Sequence, residues 1–145
     1  MNGALIALTV KQPALAIPLS FVSHYVTDAI PHYGPKMADD LSKLFKRNFK
    51  IFVTVDFGFS LILMAILGLL FPSHVWLIWA CMITAAIPDA VWWSYRKSIN
   101  QWPEALGKFS RLHSKLNLAM HVRHFYFDAI WFAAAWTAVL LIRFK

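Results

Sequence analysis

The chain has 145 residues, of which 59% are hydrophobic and 16% are aromatic. Soluble domains of this size rarely carry so much apolar surface, so the composition indicates an integral membrane protein. The net charge of +7 at pH 7 would suit nucleic acid, but the basic residues lie beside apolar stretches. That placement favours anionic membrane lipids as partners and argues against nucleic acid.

Four apolar segments predict membrane-embedded helices, because about 20 such residues cross a bilayer. They cover roughly residues 14–30, 49–71, 75–95 and 119–142. The first is short and contains Pro18, so it either spans with a kink or is re-entrant, and an apolar lead-in precedes it at residues 4–10. Only Phe71-Pro72-Ser73-His74 separates the second and third segments, which predicts a very short turn. The expected fold is one all-α membrane domain over residues 1–145 with about four spans.

Two longer connections, residues 31–50 and 96–118, carry five basic residues each. Apolar residues recur in both at helical spacing, which predicts amphipathic helices lying on the membrane over residues 35–48 and 101–115. Ordinary solvated loops are the alternative. By the positive-inside rule both connections are cytoplasmic and the short turn is external, so a cell-membrane location is expected.

Four of the seven acidic residues lie inside the predicted helices, one in each: Asp28, Asp56, Asp89 and Asp128. A carboxylate within a span costs on the order of 2.5–3.5 kcal/mol, so four of them indicate a function. At a rise of about 1.5 Å per residue, each lies within roughly 3–14 Å of the predicted cytoplasmic end of its helix. Antiparallel packing would therefore bring all four to one level.

Several histidines lie close to these aspartates in the sequence, toward the same end of the predicted helices. His24 precedes Asp28 by four residues, so the two side chains share a helix face. On the last helix, spacings of three and four residues join His121, His124 and Asp128. Further candidates for the same site are His32, His113 and Asn117.

Such a cluster calls for positive charge, because close carboxylates repel one another and burial disfavours their ionised form. A divalent metal would neutralise several at once. Histidine with aspartate suits Zn, with Mn or Fe as alternatives, and the number of ligands allows one or two ions. Asp56 and Asp89 are then further ligands, or one of them is the general base. The alternative is that these residues only form hydrogen bonds between helices.

The string Ser23-His24-Tyr25-Val26-Thr27-Asp28 resembles the Ser-His-x-x-x-Asp element of the inner-membrane metal-dependent hydrolases of the LexA-regulated type. Pro88-Asp89 is similar to the start of that family's Pro-Asp-x-Asp-His element, with Val91 and Trp92 in place of the later Asp and His. His113-Ser114 is similar to the end of its His-Arg-Gly-x-Thr-His-Ser element. Residues 19–34 also resemble small bacterial membrane proteins. The resemblance implies a bacterial inner-membrane hydrolase with buried metal ligands.

The leading hypothesis is a metal-dependent hydrolase that acts on a lipid or lipid-linked ester or phosphoester at the cytoplasmic interface. A metal-ion or proton transporter is an alternative, although transporter sites usually lie near the midplane with access from both sides. A noncatalytic scaffold is a third hypothesis, and it predicts a closed, fully coordinated metal. The sequence also allows a homo-oligomer.

Overall fold

The computed structural model describes residues 1–30, 47–98, 107–108, 111–112, 115 and 125–145. The helices in these ranges are α1 (Asn2–Val10), α2 (Pro13–Asp28), α3 (Arg47–Leu70), α4 (Val75–Ser98) and α5 (Phe125–Arg143), with a 3₁₀ turn at Pro72–His74. Residues 107–108, 111–112 and 115 are also helical. The all-helical prediction is therefore confirmed for this part of the chain. Most of the two predicted surface segments lies outside it.

Among the described residues, three helices are long and apolar enough to cross a membrane, within Val53–Leu70, Pro72–Trp92 and Tyr126–Arg143. Much of their apolar surface is exposed, as hydrocarbon-facing helices require, and Leu69 is 84% exposed. In contrast, α2 has 16 residues and is about 24 Å long, which is shorter than the roughly 30 Å hydrocarbon core. A fourth span over residues 14–30 stays a prediction.

The first two helices form a hairpin. Lys11 has a φ of 57°, the left-handed conformation that ends many helices, and Gln12 is extended. Pro13 then opens α2 at a position where its missing N–H leaves no bond unmade. If α1 continued in line with α2, Gly3 would lie about 15 Å beyond the start of α2. Instead Gly3 packs against the backbone of Cys81, six residues into α4, so α1 folds back.

The hairpin's turn and the turn at residues 71–74 share one end of the bundle, which we name the turn end. The opposite end, where α2 ends and α3 begins, is named the open end. The main apolar core lies toward the turn end and is built from all five helices. Its buried residues are Ala4, Ala7, Leu8, Ala16, Leu67, Phe71, Leu77, Ile78, Cys81 and Val139.

Specific contacts fix α3 and α5 to this core. Trp79 Nε1 donates to the carbonyl of Met64 at 2.9 Å, which ties α4 to α3 close to their connecting turn. Trp131 Nε1 of α5 donates to Asn2 Oδ1 of α1 at 2.9 Å. The short helix α1 thus packs against α2, α4 and α5 together.

Candidate functional site

Three of the predicted site residues meet at one atom. His24 Nε2 lies 3.2 Å from Asp28 Oδ2 and 3.6 Å from Asp89 Oδ1. The side chains of His24 and Asp28 are only 10% and 12% exposed, whereas that of Asp89 is 66% exposed. We name this trio the His24 cluster. It is a buried imidazole and carboxylate with a second carboxylate at the accessible edge.

Two elements build the His24 cluster. His24 and Asp28 are one helical turn apart on α2, which places both on one face as the sequence predicted. Asp89 comes from α4, and α2 packs closely along α4. Ala16 of α2 and Ile78 of α4 belong to the same buried core, and His24 and Asp89 meet further along both helices, so the two helices run in the same direction. His24 follows Ala16 by eight residues and Asp89 follows Ile78 by eleven, and there the two helices form the His24 cluster.

Backbone and aromatic groups enclose the imidazole. The ring of His24 also hydrogen-bonds the backbone carbonyl of Ala85 on α4. The ring of Tyr25 meets that of His24 edge to face, with a centroid separation of 5.6 Å, and meets that of Phe21 at 5.7 Å. These contacts restrict how the imidazole can turn, and they leave it oriented toward the two carboxylates.

Asp56 and Asp128 lie on the other two long helices, α3 and α5. Asp56 is exposed on α3 and is close enough to Asp89 for the two charges to repel. Asp128 is half-buried in the first turn of α5. Phe59 lies about one turn after Asp56, and Phe132 lies about one turn after Asp128. The rings of Phe59 and Phe132 are in contact, with centroids 5.6 Å apart. The two acids therefore stand at similar depth on α3 and α5.

Five predicted candidates lie outside the described residues: His32, His113, Asn117, His121 and His124. The roles predicted for these five residues, as metal ligands or as additional candidates, stay predictions. Of the residues the structure does describe, it brings together His24, Asp28 and Asp89, with Asp56 adjacent to Asp89.

The His24 cluster suits a divalent cation in its donor types and in its pairwise spacing. Two ligands about 2.1 Å from a tetrahedral Zn²⁺ are about 3.4 Å apart, and the two distances from His24 Nε2 are 3.2 and 3.6 Å. As they stand, no three His, Cys, Asp or Glu side chains among the described residues form a group that could hold a metal ion.

The half of the bundle beyond the cluster, toward the turn end, is apolar. Its buried hydroxyl is that of Ser20, which donates to the carbonyl of Ala16 in the same helix at 2.8 Å. Thr84 likewise donates to the carbonyl of Ala80 at 2.7 Å. Within the described ranges, no Asp, Glu or His side chain lies between the His24 cluster and the 71–74 turn.

Sequence reasoning missed two features of this region. The sequence predicts only an apolar lead-in over residues 4–10, whereas these residues belong to the packed helix α1. The small pair Gly3 and Ala7, four residues apart, is the signal that could have revealed it. The carbonyl of Ala85 was also missed, because a backbone acceptor leaves no mark in the sequence.

Comparison with protein-family models, with curated proteins and with solved structures found no match. The family resemblance therefore stays a prediction.

Proposed function

We propose that the protein is a membrane-embedded, metal-dependent hydrolase that cleaves an ester or phosphoester bond of a lipid or lipid-linked substrate at the cytoplasmic interface. The observation that carries the proposal is the convergence of Asp28 and Asp89, from two helices, on Nε2 of His24. Desolvated charged groups are costly in a membrane bundle, so a chain retains them where they perform a function.

In this proposal α3, α4 and α5 cross the bilayer, with the open end at the cytoplasmic face. The hairpin of α1 and α2 is embedded between them and supplies the fourth membrane helix. Residues 35–48 and 101–115 lie on the cytoplasmic surface, where their basic side chains attract anionic lipids. A lipid headgroup would then meet the His24 cluster without leaving the membrane.

The ligands would be His24 and Asp28, with Asp89 as the third protein donor. His121, His124 and Asp128 would complete the site or hold a second ion. Zn²⁺ is the first choice, with Mn²⁺ or Fe²⁺ as alternatives. When bound, such a cation polarises the scissile oxygen and makes water more acidic.

The remaining chemistry belongs to the chain itself. Asp56 is exposed beside Asp89 and is the candidate general base that takes a proton from the attacking water. The water oxygen bonds to carbon or phosphorus, the bond to the alcohol oxygen breaks, and the alcohol leaves with a proton. The apolar core on the turn-end side keeps bulk water away from the other half of the bundle.

Two observations favour hydrolysis over the alternatives. A transporter needs a polar route through the bundle, but the half beyond the cluster is filled by the apolar core. A purely structural metal site is closed, but the Asp89 side chain is 66% exposed. An accessible carboxylate at the edge of a buried histidine suits a site that receives a substrate.

The first test is elemental analysis of the protein purified in detergent, alongside Asp28→Asn and Asp89→Asn. We expect stoichiometric metal in the wild type and its loss in both variants. Glu104→Gln, which removes an acid from a charged connection, is the control and should retain metal. A wild type that binds no metal after reloading with Zn²⁺, Mn²⁺ or Fe²⁺ would refute the proposal.

The second test is hydrolysis of phospholipids and lipid phosphates in mixed vesicles by the metal-loaded protein. We expect Asp56→Asn to keep the metal and lose at least 100-fold in turnover, as removal of a general base does. Metal retention without hydrolysis of any lipid ester in the wild type would favour the structural role instead.

A further inference from the structure

The inward face of α3 is buried toward the turn end and exposed toward the open end. At about 100° per residue, five positions fall within an arc of about 80° on this helix: Val53, Asp56, Ser60, Leu63 and Leu67. Leu67 and Leu63 are buried in the apolar core, and Ser60 is half-buried. Asp56 and Val53 are exposed. The face that packs on the bundle at one end is therefore uncovered at the other.

Helix α5 changes in the same way along its length. Val139 and Ala135 are buried, whereas Phe132 and Asp128, on the same face, are half-buried. On α3, residues 53–57 are all exposed, and five consecutive residues cover more than one full turn. Toward the open end the described helices therefore leave a space between the inward faces of α3 and α5. This space is also accessible from the side, past α3.

We name this space the open-end cleft and define it by Val53, Asp56 and Ser60 on α3 and by Asp128 and Phe132 on α5. Two carboxylates stand at its rim, and the apolar core forms its floor. Seven residues of α3 separate Asp56 from the first buried core residue, Leu63, which makes the cleft about 10 Å deep below its rim. Half of a bilayer's hydrocarbon layer is about 15 Å thick, so the cleft spans most of one leaflet.

The rim lies at the level of the His24 cluster. Asp56 is 15 residues before Phe71, and Asp89 is 15 residues after His74, at the two ends of the short turn. Because α3 and α4 leave that turn side by side, equal numbers of residues place the two carboxylates at similar depth. A lipid whose ester lies at this level would direct its chain from the rim toward the floor, which is the direction that chains take in a leaflet.

We propose that the open-end cleft binds one acyl chain of a membrane lipid, with the ester of that lipid at the level of Asp56 and Asp89. Val53 begins the stretch of α3 that is long and apolar enough to cross a membrane, so the cleft lies at hydrocarbon depth. Acyl chains, and not water, surround the protein there. Because α3 is exposed on all sides at residues 53–57, a chain enters sideways from the bilayer. That the bound lipid is the substrate rests on the proposed function, but the binding of a chain does not.

The test fills the cleft from α3 with Ser60→Phe, which leaves every carboxylate of the rim in place. The matched control is Gly58→Phe. Gly58 lies about 160° around the same helix from Ser60, and a Cβ there meets nothing within 4 Å. Both variants add an aromatic ring to α3 two residues apart, so a general effect of the added bulk appears in both. Only Ser60→Phe occupies the cleft.

The direct readout is photochemical labelling of the metal-free protein in phosphatidylglycerol vesicles, a small fraction of whose lipid carries a diazirine on one acyl chain. Labelled residues are located by mass spectrometry. We expect the wild type to be labelled at Ser60 and Phe132 in the cleft, and at Ile62 and Leu69 on the exposed outward face of α3. The outward positions report ordinary contact with the bilayer and serve as an internal standard.

Relative to that standard, Ser60→Phe should lower the labelling of Phe132 by at least about 10-fold, the loss expected when two buried methylenes are displaced. Gly58→Phe should leave it unchanged. Wild-type labelling confined to Ile62 and Leu69 would overturn the proposal, because water or another part of the chain would then fill the cleft. Unchanged labelling of Phe132 in folded Ser60→Phe would also overturn it. If that variant does not fold, Ser60→Leu adds a smaller apolar group and is assessed in the same way.

Turnover by the metal-loaded protein is the second readout, with phosphatidylglycerol and a water-soluble analogue that has very short chains. We expect Ser60→Phe to slow hydrolysis of the long-chain lipid by at least about 10-fold and to leave the short-chain analogue unaffected. Equal losses on both would contradict a role in binding the chain. Labelling of the cleft in a wild type that hydrolyses neither compound would support acyl-chain binding and refute the hydrolase. Hydrolysis without labelling of the cleft would do the reverse.

Discussion

Replacing Gly3 with alanine tests whether α1 is a packed part of the bundle. An added Cβ would lie 2.5 Å from the carbonyl oxygen of Cys81, 2.7 Å from its carbonyl carbon and 2.9 Å from the nitrogen of Met82. All three are backbone atoms of α4, so no side-chain rotation relieves the contact. Because ordinary contacts are about 3.4 Å or longer, α1 must move away from α4 by about 1 Å.

The expected cost follows from that displacement. Overpacking a well-packed site costs about 1–3 kcal/mol, and the gain in helix propensity from glycine to alanine returns up to about 1 kcal/mol. We therefore expect Gly3→Ala to lower the free energy of unfolding by about 1–2 kcal/mol. Ala4 and Ala7, both fully buried on the same helix, would lose contact as α1 moves.

The chain supplies two matched controls. A Cβ at Gly58 meets nothing within 4 Å, so Gly58→Ala should be neutral or stabilising by up to about 1 kcal/mol. A Cβ at Gly68 would lie 3.0 Å from a methyl group of Val75, which can shift, so Gly68→Ala should lie between the other two. The predicted order of stability is Gly58→Ala, then Gly68→Ala, then Gly3→Ala.

The assay is thermal unfolding in detergent, followed by a dye that fluoresces on reaction with a thiol. Cys81 is the only cysteine of the chain and is fully buried directly beneath Gly3, so its reaction reports loss of this contact. At roughly 2–4 °C per kcal/mol, a difference of about 1–3 kcal/mol places the midpoint for Gly3→Ala about 2–12 °C below that for Gly58→Ala. Equal midpoints, with Cys81 equally protected, would refute the packing of α1 against α4.

Two further predictions use other contrasts within the chain. Leu67 is fully buried in the core, so Leu67→Ala should lower the free energy of unfolding by about 2–5 kcal/mol in thermal unfolding. Leu69 is 84% exposed, so Leu69→Ala should change it by less than about 0.5 kcal/mol. Similar losses in the two variants would contradict the described burial. With Cys81 protected by burial, a membrane-impermeant maleimide added to intact cells should label Ser73→Cys, while Arg111→Cys should react only after permeabilisation. The reverse pattern would invert the proposed topology.

The helices themselves were largely predictable, because the signals that set them are local. The predicted segments 49–71 and 75–95 correspond to Arg47–Leu70 and Val75–Ser98. Their connection at residues 71–74 is short because Pro72 follows directly on an apolar stretch. Helix α1 was not predicted, because nine residues are too few for a periodic pattern. Its stability comes from Gly3 and its neighbours packing on α4, a long-range contact.

The sequence by itself predicted the similar depth of Asp56 and Asp128, because position along a helix converts directly into distance from its end. It also placed His24 and Asp28 on one face, since a spacing of four residues is a local property. Only the tertiary structure decided that Asp89 joins them and that Ala85 orients the ring. Which way a helix faces, and which neighbour it faces, depends on how α1, α2 and α4 pack against one another. That packing is set by burial summed over the whole bundle, and no short segment encodes it alone.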